Sequence, residues 1–130
     1  MQRPPATIGL RHVALNVCDL AACEAFYVGL LGMQVEWRPD PDNLYLTSGH
    51  DNLALHVASE ARAKQGQALD HFGFILAEPA HVDSWHTYLV AAGVSIKAEP
   101  RTHRDGARSF YCHDPEDNLV QFIYHPPLAG

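Results

Sequence analysis

Three features are absent or scarce in this 130-residue sequence, and each absence excludes a class of protein. No apolar run approaches the roughly 20 residues that a membrane-spanning helix needs. Only nine Lys and Arg stand against fifteen Asp and Glu, which argues against nucleic acid or an anionic membrane as a partner. Residues 1–5 lack the apolar core of a signal peptide. We therefore expect a cytoplasmic protein with no nucleic-acid or membrane partner.

Cysteine is scarce as well. The three cysteines are odd in number and have no C-x-x-C spacing, so neither a disulfide framework nor a zinc ribbon is predicted. We predict that Cys18, Cys23 and Cys112 are reduced, small buried hydrophobic residues. The two tryptophans, Trp37 and Trp85, are also predicted to lie in the core.

The sequence repeats itself instead. Residues 11–17 (RHVALNV) and 70–76 (DHFGFIL) are each an alternating strand with a histidine at its second position. In each copy an amphipathic helical pattern follows and ends at a glycine, Gly32 or Gly93. The histidines are offset by 71 − 12 = 59 residues and the glycines by 93 − 32 = 61. Such spacing predicts two copies of one supersecondary unit.

Each unit is predicted to run strand, helix, strand, strand, strand. Residues 1–130 are then a single α+β domain of two βαβββ units, about 8–58 and 70–125, joined by a linker 59–69. The first unit has strands at 11–17, 33–38, 43–47 and 53–58, with Asp19 as the helix N-cap. The second has strands at 70–76, 94–98, 108–113 and 119–124, with a polar loop at 99–107. One helix covers only one sheet face, so the sheet is expected to curl around a concave site, with the helices outside.

Side-chain alternation predicts which residues face that hollow. If the most apolar face lies under the helix, His12, His56, His71 and Gln121 point to the concave side. Imidazole nitrogens with an amide oxygen suit a transition metal. For His56 the alternative is a one-residue slip that places Leu55 in the pocket instead. Gln121 has the alternative of a polar wall residue. The remaining histidines are assigned to solvated positions: His50, His81, His86, His103, His113 and His125.

The motifs resemble those of the vicinal oxygen chelate superfamily, which includes glyoxalase I, the fosfomycin resistance proteins, the extradiol dioxygenases and the metal-free bleomycin-binding proteins. The resemblance covers nearly everything from Gly9 to Tyr124. It is carried by LRHVAL at 10–15, by DL, FY and LGM at 19–20, 26–27 and 31–33, by DHFGF at 70–74 and by SFYCHDPEDNLVQ at 109–121.

The resemblance implies a divalent metal, Fe, Zn, Ni or Mn, held by His12, His71 and Gln121. His56 occupies the strand that supplies a fourth ligand in glyoxalase I. The family pattern expects Glu where this chain has Gln121, which removes a negative charge and a proton-transfer base from the site. Tyr111 is the candidate to donate a hydrogen bond to the substrate, and it is counted as catalytic together with Gln121. Arg101 and Arg108 are candidates to bind an anionic group. The resemblance also implies a homodimer.

Two functions of different classes remain open from the sequence. The first is a metal-dependent enzyme, of isomerase or lyase type or a ring-cleaving dioxygenase, whose metal chelates a small substrate through adjacent oxygens. The second is a metal-free protein that binds a small or drug-like molecule in the same hollow. A scaffold domain with an inactive site is a third alternative.

Overall fold

The computed structural model describes residues 3, 6, 8–59 and 67–128. Eight strands and two α-helices follow one another in the predicted order. The bounds are β1 His12–Val17, α1 Leu20–Glu24 with a π-helical continuation Ala25–Leu30, β2 Gln34–Asp40, β3 Asn43–Thr47, β4 Asn52–Val57, β5 Phe72–Ile75, α2 Pro79–Ala91, β6 Ile96–Thr102, β7 Arg108–His113 and β8 Leu119–Tyr124. A short 3-10 helix, Pro126–Leu128, follows β8. Within this described part of the chain, no helix is long and apolar enough to cross a membrane.

The strands form two four-stranded mixed sheets, one from each unit. Their orders are β1-β4-β3-β2 and β5-β8-β7-β6. In each sheet the first strand pairs in parallel with the fourth, and the other pairs are antiparallel. The α+β class and the duplicated βαβββ units are therefore confirmed, and neither sheet closes on itself. Of the predicted linker 59–69, residues 60–66 lie outside the described residues.

The predicted ends of both helices are confirmed by their backbone. The Asp19 side chain accepts a hydrogen bond from the Ala22 N–H at 2.9 Å, as an N-cap does. Gly32 and Gly93 have φ values of 82° and 81°, a left-handed conformation that glycine adopts without strain. After Glu24 the first helix widens to π geometry, which the apolar spacing alone did not indicate.

The second unit departs from prediction at β6. The loop was predicted to begin at residue 99, but the strand continues to Thr102. The strand lies at the edge of its sheet, where Pro100 is tolerated since its missing N–H is not needed for a ladder on the outer side. Register shifts flank Ala98, so β6 is irregular and its sequence pattern is correspondingly weak.

The core lies between each sheet and its helix. The predicted alternation holds, since Leu15, Val17, Val120 and Phe122 are buried. Phe122 stacks on Phe110, on Phe74 and on Trp85, with ring centroids 5.1 to 5.6 Å apart. Two predictions of burial were wrong. Cys18 is exposed where β1 leaves its sheet, and Trp37 is 59 % exposed on the edge strand β2.

A buried carboxyl group joins the two units. Glu116, in the turn between β7 and β8, is fully buried. Its two oxygens accept the backbone N–H groups of Cys18 and Asp19, at 2.8 and 2.9 Å. The second unit therefore fixes the corner at which the first unit turns from strand into helix.

The same turn is organised by a second acid. Asp114, which is 3 % exposed, accepts the Tyr27 hydroxyl at 2.7 Å and the backbone N–H of both Glu116 and Asn118. The Asn118 side chain in turn accepts the backbone N–H of Gln67 at 2.8 Å. The sequence segment 114–118 is therefore a structural tie as well as a hairpin turn.

Alkaline pH should destabilise the fold through Cys112. Burial, helped by the charge of Asp114, raises the pKa of the Cys112 thiol from 9.0 to about 12. Above pH 9 the unfolded chain releases this proton and the folded chain keeps it, so the free energy of unfolding falls as pH rises. We expect a loss of about 1.4 kcal/mol between pH 8 and pH 10, measured by urea titration. The Cys112→Ala variant should be less stable overall and should lose this part of the decline, keeping only the part due to Tyr27, whose pKa burial also raises. An equally steep decline in that variant would contradict the assignment.

Candidate functional site

Strand alternation sets which side chains share the face of the first sheet opposite its helix. Leu53 and Leu55 are buried in the core, so the residues between and beside them point to the other face, called here the open face. The ladders align three rows on this face. They are the His12 row (His12, Asn52), the alanine row (Ala14, Ala54, Tyr45, Trp37) and the His56 row (Asn16, His56, Asn43).

A hydrogen-bonded relay fixes the ring of His12. Its Nδ1 lies 2.7 Å from Asn52 Oδ1, and Asn52 Nδ2 donates to Glu36 Oε1 at 3.2 Å. A carboxylate only accepts, so the Asn52 amide must turn its NH₂ to Glu36 and its oxygen to the histidine. His12 Nδ1 therefore carries the proton and donates it. The exposed Nε2 keeps its lone pair, which is how histidines are oriented beside metals.

His71 has the corresponding arrangement in the second unit. Its Nδ1 lies 2.6 Å from Asp70 Oδ1, which likewise leaves Nε2 as the nitrogen with the free lone pair. The ring meets Tyr111 edge-on, with centroids 5.2 Å apart. Tyr111 pairs with Gln121 in the β7–β8 ladder. His71, Tyr111 and Gln121 are thus neighbours on the open face of the second sheet.

Gly73 allows β5 to approach Gln121 closely. It pairs with Gln121 in the parallel ladder, and a Cβ added to Gly73 would lie 2.8 Å from the Gln121 carbonyl oxygen and 3.2 Å from its Cβ. Any larger residue would have to push the two strands apart. The glycine two residues after His71 therefore keeps His71 and Gln121 on adjoining strands at their observed spacing.

The strands that carry His12 and His71 border one narrow crevice. A cavity of about 120 Å³ is lined by Arg11 and Val13 from β1 and its approach and by Phe72 and Gly73 from β5. A larger cavity of about 690 Å³ lies beside helix residues such as Leu31 and Trp85. Neither His12 nor His71 lines these two cavities, so we take as the candidate site the open face on which their side chains lie.

His56 lies away from the His12 row. Its own row is four residues further along β4, about 13 Å at 3.3 Å per residue. The predicted strand register is confirmed, since Leu55 is buried and His56 is half-buried. The structure therefore brings His71, Tyr111 and Gln121 together and keeps His56 apart from His12. Among the described residues, no three His, Cys, Asp or Glu side chains are grouped closely enough to bind one metal ion.

The two candidate arginines point in different directions. Arg108 donates to both carboxyl oxygens of Asp83 on α2, at 2.7 and 3.1 Å, so its charge is engaged on the helix side of the sheet. Arg101 is exposed and pairs with Ser109. Ser109 and Tyr111 are two residues apart on β7, so their side chains point to the same face of the sheet. Of the two arginines, Arg101 is therefore the one that shares its face of the sheet with Tyr111.

Comparison with known proteins assigns the family. Residues 9–122 match the profile of the Glyoxalase/Bleomycin resistance protein/Dioxygenase superfamily. The chain belongs to this superfamily. Members of the superfamily bind small molecules, and they commonly dimerise.

Individual known proteins are similar to most of the chain. An uncharacterized protein of Pseudomonas aeruginosa is 33 % identical and covers 92 % of this chain and 91 % of its own. The biphenyl-2,3-diol 1,2-dioxygenase of Sphingomonas paucimobilis is 27 % identical over 95 % of this chain, which spans only 41 % of that enzyme. The solved lactoylglutathione lyase of Agrobacterium tumefaciens is 25 % identical, with a TM-score of 0.77 and coverage of 96 % and 98 %.

The residues that orient the histidines were not found from the sequence. His12 is oriented by Asn52 and Glu36. His56 is oriented in the same way: its Nδ1 lies 2.6 Å from Asn43 Oδ1, and Asn43 Nδ2 donates to both carboxyl oxygens of Asp40. These four partners are distant from their histidines along the chain.

One signal was available. Asn52 alternates with the buried Leu53 in the same way as Ala54 and His56 do, so its side chain should point to the same face of the sheet. The signal is weak because the predicted strand begins at residue 53, whereas β4 begins at Asn52.

Proposed function

We propose that this superfamily member is a divalent-metal-dependent enzyme of isomerase, lyase or ring-cleaving dioxygenase type. Its substrate is a small molecule that presents two adjacent oxygens. The observation that carries the proposal is the shared state of His12 and His71: each Nδ1 is held by an oxygen acceptor, and each Nε2 is left with its lone pair. Metal-binding histidines usually have this orientation, with the second ring nitrogen donating to a carboxylate, carbonyl or amide oxygen.

The donor set fits a transition metal better than a hard cation. Two imidazole nitrogens and the neutral amide oxygen of Gln121 suit Fe, Zn, Ni or Mn, whereas Mg²⁺ and Ca²⁺ prefer carboxylates. A metal bound there would act as a Lewis acid on the substrate oxygens. We leave His56 out of the donor set because it lies apart from His12, and Arg108 out of the substrate-binding residues because it pairs with Asp83.

The other site residues would bind and orient the substrate. Tyr111, which meets His71 edge-on, would donate its hydroxyl hydrogen to a substrate oxygen. Arg101 would attract an anionic group at the rim. We propose a homodimer as the working form, in keeping with the frequent dimerisation of the superfamily.

Metal content separates this proposal from its alternative. Protein purified without chelator should contain about one transition-metal ion per chain, and His12→Ala or His71→Ala should reduce this below about one tenth, measured by elemental mass spectrometry. His81→Ala is the matched control, because His81 is an exposed α2 histidine beside Glu78. Full metal content in both site variants would contradict the proposal.

The second candidate is a metal-free protein that binds a small molecule. Gln121 favours it, since a neutral amide contributes less to metal binding than the carboxylate that the resemblance implies. Protein that lacks metal but carries an organic molecule through purification, identified by mass spectrometry of the denatured sample, would support this candidate.

A further inference from the structure

The cavity of about 690 Å³ lies between the two units and is separate from the open-face histidines. Its walls come from the residues before β1 and the turn 48–51 in the first unit, and from β5, α2 and the 3-10 helix in the second. Its volume is within the roughly 300–1,000 Å³ of ordinary ligand pockets. It is therefore a second place on the molecule where a small ligand fits.

Most of the cavity wall is apolar. Leu31 and Met33 line it from the first unit, and Phe74, Trp85 and Phe122 line it from the second. Its rim carries three apolar side chains that are exposed to solvent: Leu10, Ile75 and Leu128. Exposed apolar side chains that converge on one cavity are typical of a binding site. A ligand here needs an apolar part that covers them.

A basic group with free hydrogen-bond donors lies at the polar end of the cavity. Arg11 lines this end together with Ser48, His50 and Asp51. Asp51 Oδ1 accepts the Ser48 N–H at 2.6 Å. In the described part of the chain, the Arg11 guanidinium has no hydrogen bond or ion pair, with Asp51 or any other residue. Its fork of N–H groups matches the two oxygens of a carboxylate.

The free edge of β5 adds backbone donors. Within the described structure β5 pairs with β8 alone, and the Leu76 N–H donates to the Ile123 carbonyl at 2.8 Å. Because N–H groups alternate in direction along a strand, those of Gly73 and Ile75 point to the other edge, where both residues line the cavity. Arg11 and Gly73 also line the small crevice together, so they are neighbours.

We propose that this cavity binds an amphipathic carboxylate, a molecule with an alkyl chain and one carboxylate group. The carboxylate oxygens accept hydrogen bonds from the Arg11 guanidinium and the Gly73 N–H, and the alkyl chain lies against Phe74 and Trp85. A monoanion suits the site better than a dianion such as phosphate, because Asp51 carries a negative charge at the same end. The site is distinct from the open-face histidines and needs no metal ion.

Three probes test the proposal. Chelator-treated full-length protein is titrated by calorimetry with decanoate, with decan-1-ol, which has the same chain but no charge, and with butanoate. We expect decanoate to bind about tenfold more tightly than decan-1-ol, because only the carboxylate makes charged hydrogen bonds. Butanoate lacks six CH₂ groups and should bind at least about a hundredfold more weakly than decanoate. Arg11→Gln should abolish the preference for decanoate and leave the affinity for decan-1-ol unchanged.

Matched variants show which cavity the probes occupy. Arg104→Gln removes an arginine from a competing basic cavity of about 430 Å³ and should leave the preference for decanoate intact. The double variant Leu10→Ser/Leu128→Ser removes two rim side chains and should weaken binding of decanoate and decan-1-ol about tenfold. Val90→Ser removes an exposed apolar side chain outside the cavity and should weaken neither.

Three results would overturn the proposal. The first is equal affinity of decanoate and decan-1-ol in the native protein, and the second is a preference for decanoate that survives Arg11→Gln. The third is a failure of decanoate to bind, with a dimer in ultracentrifugation that Leu10→Ser/Leu128→Ser dissociates, since a second copy of the chain would then cover the cavity. Because the protein is free of metal throughout, failure of the metal-dependent function would not alter these results.

Discussion

Replacing Gln121 by Glu should raise the affinity for a divalent metal by at least about tenfold. The substitution adds one negative charge beside His71 without changing the length of the side chain. At 4 Å and an effective dielectric constant of 20, such a charge contributes about 4 kcal/mol per unit of metal charge before desolvation is subtracted. Metal titration of chelator-treated protein, followed by calorimetry, measures the gain.

A charge placed nearby but outside the proposed ligand set gives the control for Gln121→Glu. Ile123 lies two residues further along β8 and pairs with Ser109 on the same face. Ile123→Glu adds the same charge and should raise metal affinity far less. Equal gains from both variants would indicate a general effect of charge and would remove Gln121 from the ligand set. A gain confined to Gln121→Glu would mean that the native glutamine weakens the site.

Replacing Glu116 by Ala should lower the free energy of unfolding by about 3 kcal/mol. The change leaves the backbone N–H groups of Cys18 and Asp19 without their acceptors, at about 1–3 kcal/mol each when they stay shielded from water. It also opens a cavity at a fully buried position. Since small domains are stable by only about 5–15 kcal/mol, a large fraction of the stability is lost. Denaturant unfolding at neutral pH measures this.

Two further substitutions make the Glu116 test specific. Glu116→Gln keeps the shape of the side chain and one acceptor oxygen. Its free energy of unfolding should therefore fall clearly less than that of the Ala variant. Asp117 is an exposed acid in the same turn, with φ of 63°. Asp117→Gly removes a charge there, and glycine suits this backbone, so stability should change by less than about 0.5 kcal/mol. If Glu116→Ala lowered the free energy of unfolding no more than Asp117→Gly does, the contact of Glu116 with Cys18 and Asp19 would not contribute to stability.

The duplicated fold could be predicted because its signals are local. Strand alternation, the Asp19 cap and the glycines at 32 and 93 each depend on a few neighbouring residues, and all were confirmed. The length of β6 could not be predicted in the same way. An edge strand that contains Pro100 is held by its pairing with β7, which local propensity does not report.

The site was predictable only in part, for a related reason. The face to which His12 and Gln121 point follows from the alternation of buried residues on their own strands. The separation of His56 from His12 depends on the register between β1 and β4, and the pairing of Arg108 with Asp83 depends on where α2 lies. Such long-range arrangements leave no periodic trace in the sequence. The relays through Asn52 and Asn43 belong to the same class.

Both relays begin on one strand, since Glu36 and Asp40 are carried by β2. This strand is the outermost of its sheet and is exposed along its whole length, so we expect it to open more readily than the buried strands. Whenever β2 detaches, the two amides are free to flip and both imidazoles can exchange tautomers together. Local fraying at the sheet margin would then release the orientation of both rings at once, without unfolding the core.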